Sequence, residues 1–221
     1  MIELHGLSFA YPGGEYQLDI ARLTIAAGET VAITGPSGIG KTTLLHLLAG
    51  ILVPQAGTIL ANGHPLSGAT DAARRRFRLR HIGMIFQEFE LIDYLNVRDN
   101  LLLPYRLSAV LKLEQQVRQQ AEQLAHAAGI GTHLERNVAQ LSQGERQRVA
   151  VCRALLPRPG LILADEPSGN LDPANTDRIL DLIFQQAAQS GASFVCITHE
   201  RHFLNRFDRV LDFADFARSG A

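Results

Sequence analysis

Eight consecutive residues constrain this chain more than any others: GPSGIGKT, residues 35–42. They match the pattern G-x-x-x-x-G-K-[ST] in full. The β-rich run TVAIT precedes them, and the apolar-periodic run TTLLHLLAG overlaps their end and continues it. Strand, glycine loop and helix in that order make an anion cradle. Gly35, Gly38 and Gly40 let the backbone curl with its N–H groups turned inward, and the helix behind adds its positive N-terminal end. Lys41 then places a point charge on the terminal phosphates of a polyphosphate, and Thr42 offers a hydroxyl to Mg²⁺. Pro36, Ser37, Ile39 and Thr43 complete the loop and the first helical turn, so residues 35–43 together are expected to hold the phosphates.

A strand–loop–helix unit of this kind belongs in an α/β sheet, and the rest of the chain agrees. Leu4–Tyr11, Tyr16–Ile25 and Thr30–Thr34 read as strands separated by Gly- and Pro-containing turns. Lys41–Leu48 reads as a helix, and Gly57–Ala61 and Ile82–Phe86 as strands. From about Val97 to Leu156 the apolar spacing is helical, interrupted at Pro104, Gly129 and Gly131. Leu161–Ala164, Ser193–Thr198 and Val210–Phe213 are short, nearly all-apolar runs, as in strands covered on both faces, and Ala174–Gln189 supplies a crossover helix. With 221 residues, 46% of them apolar, one domain with its own core is expected over 1–221. It would carry a helical subdomain at about 88–157.

The run LILADEP, residues 161–167, is an apolar strand ending in two adjacent acids. Alternation along a strand sends neighbouring side chains to opposite sides, so the two carboxylates are expected to divide the work. Asp165 suits the Mg²⁺ shell beside Thr42. Glu166 suits positioning and deprotonating an attacking water.

At LSQGERQRVAVCRALL, residues 141–156, the chain resembles the signature of ATP-binding cassette (ABC) transporter ATPases, usually LSGGQ followed by QR-V-A-I-A-R-A-L. The other motifs of that family follow in order over essentially the whole chain. The resemblance implies an α/β P-loop NTPase of ABC type, with a mixed core sheet, an antiparallel β subdomain around Tyr11 and a helical subdomain. It implies that Tyr11 stacks on adenine and that Gln87, in IGMIFQ, joins the two lobes and approaches Mg²⁺. It further implies that GNLD, 169–172, contributes Asp172 to the nucleotide site and that His199, in CITHE, contacts the terminal phosphate. Ser142, Gln143, Gly144 and Glu145 would close the ATP site of an opposite subunit, so the active species would be a homodimer with two ATP molecules at its interface. Gln143 and Glu145 depart from the usual glycine and glutamine. Ser142 and Glu145 also form a capping-box pattern, which turns the Glu145 carboxylate toward its own helix.

The activity implied is Mg²⁺-dependent hydrolysis of ATP, energising a separate integral membrane permease subunit. The stretch EFELIDYLNVRDNLLLPYRL, 88–107, is similar to the region that receives the membrane subunit. The forms DNLLLP and EPSGNLD resemble the subgroup of lipoprotein release, macrolide export and the cell-division cassette. A cassette that drives a membrane signalling or cell-division complex without transport is the alternative. A soluble cassette of translation or DNA repair would need a second cassette or a long insertion, for which 221 residues leave no room.

Charge and composition set the location. A net charge of −1 argues against a nucleic-acid partner, and the arginines between 74 and 80 read as a solvated helix face. No run reaches the roughly 18 apolar residues of a membrane span, and MIELHGLSFAY lacks the form of a secretory signal. Cys152 and Cys196 sit in apolar runs, as reduced buried thiols do. The expected location is the cytoplasm, peripheral on the inner face of the cell membrane. His46, His64, His81, His126 and His133 lack metal-ligand spacing and read as structural or surface residues.

Overall fold

The structure, a computed structural model, describes residues 1–13, 16–108, 110–168 and 173–220. β1 (Ile2–Ala10) and β2 (Gln17–Ile25) alternate buried and exposed residues and pair antiparallel, which leaves one face for the core. β3 (Thr30–Thr34) is apolar at its centre and runs through the glycine loop into α1 (Lys41–Leu48). β4 (Ala56–Ala61) returns antiparallel to β1, and the two-residue β5 (His64–Pro65) extends that edge. α2 (Asp71–His81) carries the arginine run, is capped by the Thr70 hydroxyl and leads into β6 (Ile82–Ile85).

Three helices follow, α3 (Val97–Arg106), α4 (Gln115–Ala127) and α5 (Gln143–Leu155), all within the 88–157 stretch expected to be helical. The chain then alternates again through β7 (Leu161–Asp165), α6 (Pro173–Ser190), β8 (Ser193–Ile197), β9 (Arg209–Asp212), the short α7 (Phe213–Phe216) and β10 (Ala217–Gly220).

Parallel and antiparallel pairings fall into separate sheets. Among the described residues, one sheet has the order β6-β7-β8-β3-β9 with every neighbouring pair parallel. The other has the order β10-β2-β1-β4-β5 and is antiparallel throughout. Every residue of β7 and β8 is buried, as strands covered on both faces require. Alternate residues serve two cores. Ile162, Ala164, Phe194 and Cys196 face the helices α3–α6. Leu161, Leu163, Val195 and Ile197 face α1 and the antiparallel sheet. The parallel sheet is therefore the middle layer of the molecule.

One expectation about elements changes, and one unanticipated strand is added. Pro104 does not interrupt the helix but lies within the last turn of α3, where its missing N–H costs one bond near an end that was due to stop. The residues after Phe213 form a strand, β10, on the free edge of β2. No described helix is long and apolar enough to cross a membrane, and both cysteines are free and buried.

Candidate active site

Four strands of the parallel sheet bring the expected residues to one edge, the carboxyl ends, where open α/β sheets present their crevice. β3 delivers the phosphate loop, β6 delivers Gln87, β7 ends in Asp165 and Glu166, and β8 leads through Thr198 to His199. The Thr198 amide donates to the Ile33 carbonyl at 3.2 Å and the Glu166 amide to the Ile197 carbonyl at 3.0 Å, so strand ends and site loops are stitched together.

The phosphate loop is built as an open anion cradle. Gly40, at φ 111°, is the N-cap of α1 and offers no side-chain cap, which leaves the first amides of the helix available. A Cβ there would lie 1.7 Å from the Tyr16 hydroxyl, so only glycine fits. Lys41 is 8% exposed, and its ammonium donates to the Gly35 carbonyl at 2.8 Å and the Pro36 carbonyl at 2.7 Å. The charge is thus held over the loop on two weak neutral acceptors that an anion would outcompete.

Tyr11 follows β1 directly and stands beside this loop. Its ring is 41% exposed, with an edge-on contact to Phe9 at 4.9 Å and its hydroxyl 3.1 Å from that of Thr43. Tyr16 completes the wall: its hydroxyl donates to the Ile39 carbonyl at 3.2 Å and its ring lies 6.0 Å from that of Tyr11. No motif singles out Tyr16.

The two acids diverge for a reason other than strand alternation. β7 ends at Asp165, and Glu166 turns out of it in left-handed backbone at φ 45°. Asp165 stays buried; burial raises its pKa and the hydrogen bond from Thr42 opposes the rise. His46 of α1, read from sequence as structural, is close enough to interact with Asp165, while burial pushes its own pKa down. The Glu166 carboxylate swings the other way, with Oε1 3.1 Å from Nδ1 of His199, whose side chain is 63% exposed.

Gln87 is exposed just beyond β6. The chain after it turns through Phe89 and Glu90, both in left-handed backbone at φ 43° and 50°. Arg153 of α5 holds this turn, donating to the Phe89 carbonyl at 2.7 Å and also to that of Glu90.

The signature residues lie at the other end of α5. Ser142 is its N-cap: the hydroxyl accepts from the Glu145 amide at 3.3 Å, and the Glu145 carboxylate accepts from the Ser142 amide at 2.8 Å. Glu145 therefore faces its own helix. These bonds, the Ser142 amide's above all, hold its pKa below the ordinary value. Gln143 is exposed and Gly144 half-buried beside it. These residues bond locally and make no hydrogen bond to the phosphate loop among the described residues. Gln147, buried in α5, donates to the Pro167 carbonyl at 2.8 Å and so ties the signature helix to the segment after Glu166. Asp172 and the rest of GNLD, 169–172, lie outside the described residues.

The family described as ABC transporter matches this chain at residues 18–169. The chain is 39% identical over 214 residues to the ABC transporter ATP-binding protein YbbA of Escherichia coli (strain K12), covering 96% of this chain and 93% of that protein. It is 38% identical over 215 residues to the lipoprotein-releasing system ATP-binding protein LolD of Xanthomonas oryzae pv. oryzae (strain MAFF 311018), covering 96% and 87%. Among solved structures, it resembles the dimeric post-hydrolysis state of the ATP-binding cassette MJ0796 bound to ADP and Pi. The TM-score is 0.87 at 29% identity, over 96% of this chain and 94% of that one.

Proposed function

The chain belongs to the ABC transporter family, and on that premise we propose that it hydrolyses ATP at the sheet edge described above and drives a separate membrane subunit. The observation that carries the catalytic reading is the convergence at that edge of an open phosphate loop, a buried Asp165 and a Glu166–His199 pair. Residues 35–43 receive the triphosphate through loop amides, the α1 N-terminus and Lys41. Tyr11 stacks on the base. Glu166 accepts a proton from water as it attacks the terminal phosphorus, ADP leaves, and His199 steadies the phosphoryl oxygens.

The donors beside the loop fit Mg²⁺. The Thr42 hydroxyl and the Asp165 carboxylate are hard oxygen ligands, with Gln87 on the adjoining loop. Among the described residues no trio of His, Cys, Asp or Glu forms a metal cage, which suits a cation that takes much of its shell from phosphate and water. When bound, Mg²⁺ neutralises phosphate charge and orients the phosphates for in-line attack.

Ser142 and Gly144, with Gln143 and Glu145, complete the site of a second copy, giving a homodimer that closes on ATP. Similarity to a dimeric cassette supports this arrangement. Asp172 is assigned to the nucleotide site by the family pattern GNLD. The whole chain forms one ATPase unit, with 88–157 as its helical subdomain.

The membrane subunit docks on a cleft of about 570 Å³ lined by Arg75, Arg78, Phe86, Glu90, Leu103 and Leu107, between the parallel sheet and the helices. On this reading the protein works as a peripheral subunit on the cytoplasmic face of the membrane. Similarity to LolD supports an exporter or lipoprotein-release type of partner.

Lys41→Ala tests the assignment at its root. It is expected to abolish ATP binding in titration calorimetry and phosphate release in turnover assays, with the far-UV spectrum unchanged. Normal turnover in that variant would remove the phosphate loop from the reaction. Purification from membranes, with identification of the co-eluting integral protein, tests the partner.

A further inference from the structure

Glu145 puts a carboxylate on the helix end that, in the dimer reading, receives the phosphate of a second subunit. Both of its oxygens are engaged. Oε2 accepts from the Ser142 amide at 2.8 Å and from the Ser142 hydroxyl at 2.9 Å. Oε1 lies 3.1 Å from Nε2 of His133. Glu145 is thus held against its own helix end, on the Ser142 amide and hydroxyl, beside the place where an external anion would bind.

His133 comes from outside that helix, at the end of a single 3-10 turn, Gly131–His133. Its Nδ1 is buried without a hydrogen-bond partner, so Nε2 is the nitrogen this imidazole uses, and it is aimed at Glu145. The ring is half-buried, and leaving its buried Nδ1 unpartnered carries a cost, which gives the contact of Nε2 with Glu145 weight.

We propose that His133 is a positioning residue for the ATP-closed dimer, acting through Glu145 on Ser142. By holding Oε1, it keeps the carboxylate turned away from the interface. By sharing the negative charge, it weakens Oε2 as an acceptor. The Ser142 hydroxyl is then free to leave Oε2 and donate to the phosphate of the second subunit. Without His133, Glu145 keeps its full charge beside that phosphate and holds the hydroxyl. The inference rests on the dimer reading above.

The test uses Glu166→Gln protein, in which ATP is expected to persist, and reads the ATP concentration at which it dimerises on a sizing column. Adding His133→Ala is expected to raise that midpoint about tenfold, the worth of one charge-assisted hydrogen bond. Further adding Glu145→Gln is expected to restore it, because a neutral amide no longer repels phosphate. His133→Arg, which still offers an N–H donor to the Glu145 carboxylate, is expected to leave it near the starting value. ATP affinity of the monomer, set by the Lys41 side of the site, reports that each variant has folded. An unchanged midpoint in His133→Ala overturns the proposal, and so does a loss that Glu145→Gln fails to rescue, which would mark His133 as a packing residue only. Failure of the dimer reading itself looks different: Glu166→Gln with His133 intact stays monomeric in saturating ATP, and the proposal falls with it.

Discussion

Glu166 occupies left-handed backbone, which costs a non-glycine residue about 1–2 kcal/mol. The surroundings fix it there: its amide is bonded to the Ile197 carbonyl and its carboxylate meets His199. Strain held in place by neighbours at a sheet edge is common where chemistry needs a group aimed off the strand axis. Glu166→Gln keeps the amide bond and the shape, so ATP binding is expected to survive while turnover falls by at least about 100-fold, the usual worth of a general base. Phosphate release against ATP affinity separates the two, and near-normal release would take Glu166 out of the reaction. The sequence assigns different tasks to Asp165 and Glu166 through strand alternation, whereas the structure separates them by a single backbone turn. Residues 35–43 are legible because every group sits on one continuous stretch. Tyr16 is not, because its partner Ile39 is 23 positions away and only the fold brings them together. His46 meets Asp165 across a far wider gap in the sequence.

α5 carries the signature residues and bonds two of the site's loops, and two of its contacts are open to measurement. Its backbone lies directly on β6: a Cβ at Gly83 would sit 2.6 Å from the Ala154 carbonyl oxygen and 2.8 Å from Pro159. Gly83→Ala forces helix and strand apart and is expected to cost about 1–3 kcal/mol in denaturant unfolding. A cost near zero would mean the helix slides freely on the sheet. At its N-terminus, the Glu145 pKa is held below its ordinary value of 4.5, first by the Ser142 amide. A carboxylate with a depressed folded pKa stabilises above the unfolded value and loses that stabilisation as pH falls through the folded one. Glu145→Ala is therefore expected to cost about 0.5–1 kcal/mol near neutral pH. The gap from the parent should close as pH drops below about 4.5, readable as converging thermal midpoints; a gap independent of pH would assign the loss to packing. Elements of this kind were legible where local chemistry sets them: the glycine loop fixes the end of β3 and the start of α1, and Ser142 with Glu145 fixes the start of α5. The edge strands were not. β10 exists because β2 offers an open edge nearly 200 residues upstream, and no local pattern carries that information.

At the scale of the whole molecule, α5 links the signature residues to the segment after Glu166 and to the turn after Gln87. Its 13 residues span about 20 Å. Its first turn presents Ser142, its middle holds the Pro167 carbonyl through Gln147, and its last turns grip the Phe89 and Glu90 carbonyls through Arg153. The Phe89–Glu90 turn joins Gln87 to the cleft proposed for the membrane subunit, and Glu90 and Arg153 both line that cleft. A helix that bonds the segment after β7 through Gln147 and the turn after Gln87 through Arg153 cannot shift at one place without loading the other. Arg153 is the link most open to test, because its planar fork reaches two carbonyls at once, while a lysine keeps the charge but has no such fork. Arg153→Lys is expected to leave ATP affinity of the isolated chain close to normal, since it touches no group of the phosphate loop. In the reconstituted complex, the change in turnover that the membrane subunit imposes is expected to shrink by at least about fivefold, the low end of a coupling free energy between two sites. Hydrogen exchange at residues 88–92 should rise in the same variant as the turn loses its anchor. Normal partner-dependent turnover together with faster exchange would show that the turn can loosen without uncoupling the complex, and the load would then have to pass through another contact, with the Gln147–Pro167 bond the next to be cut.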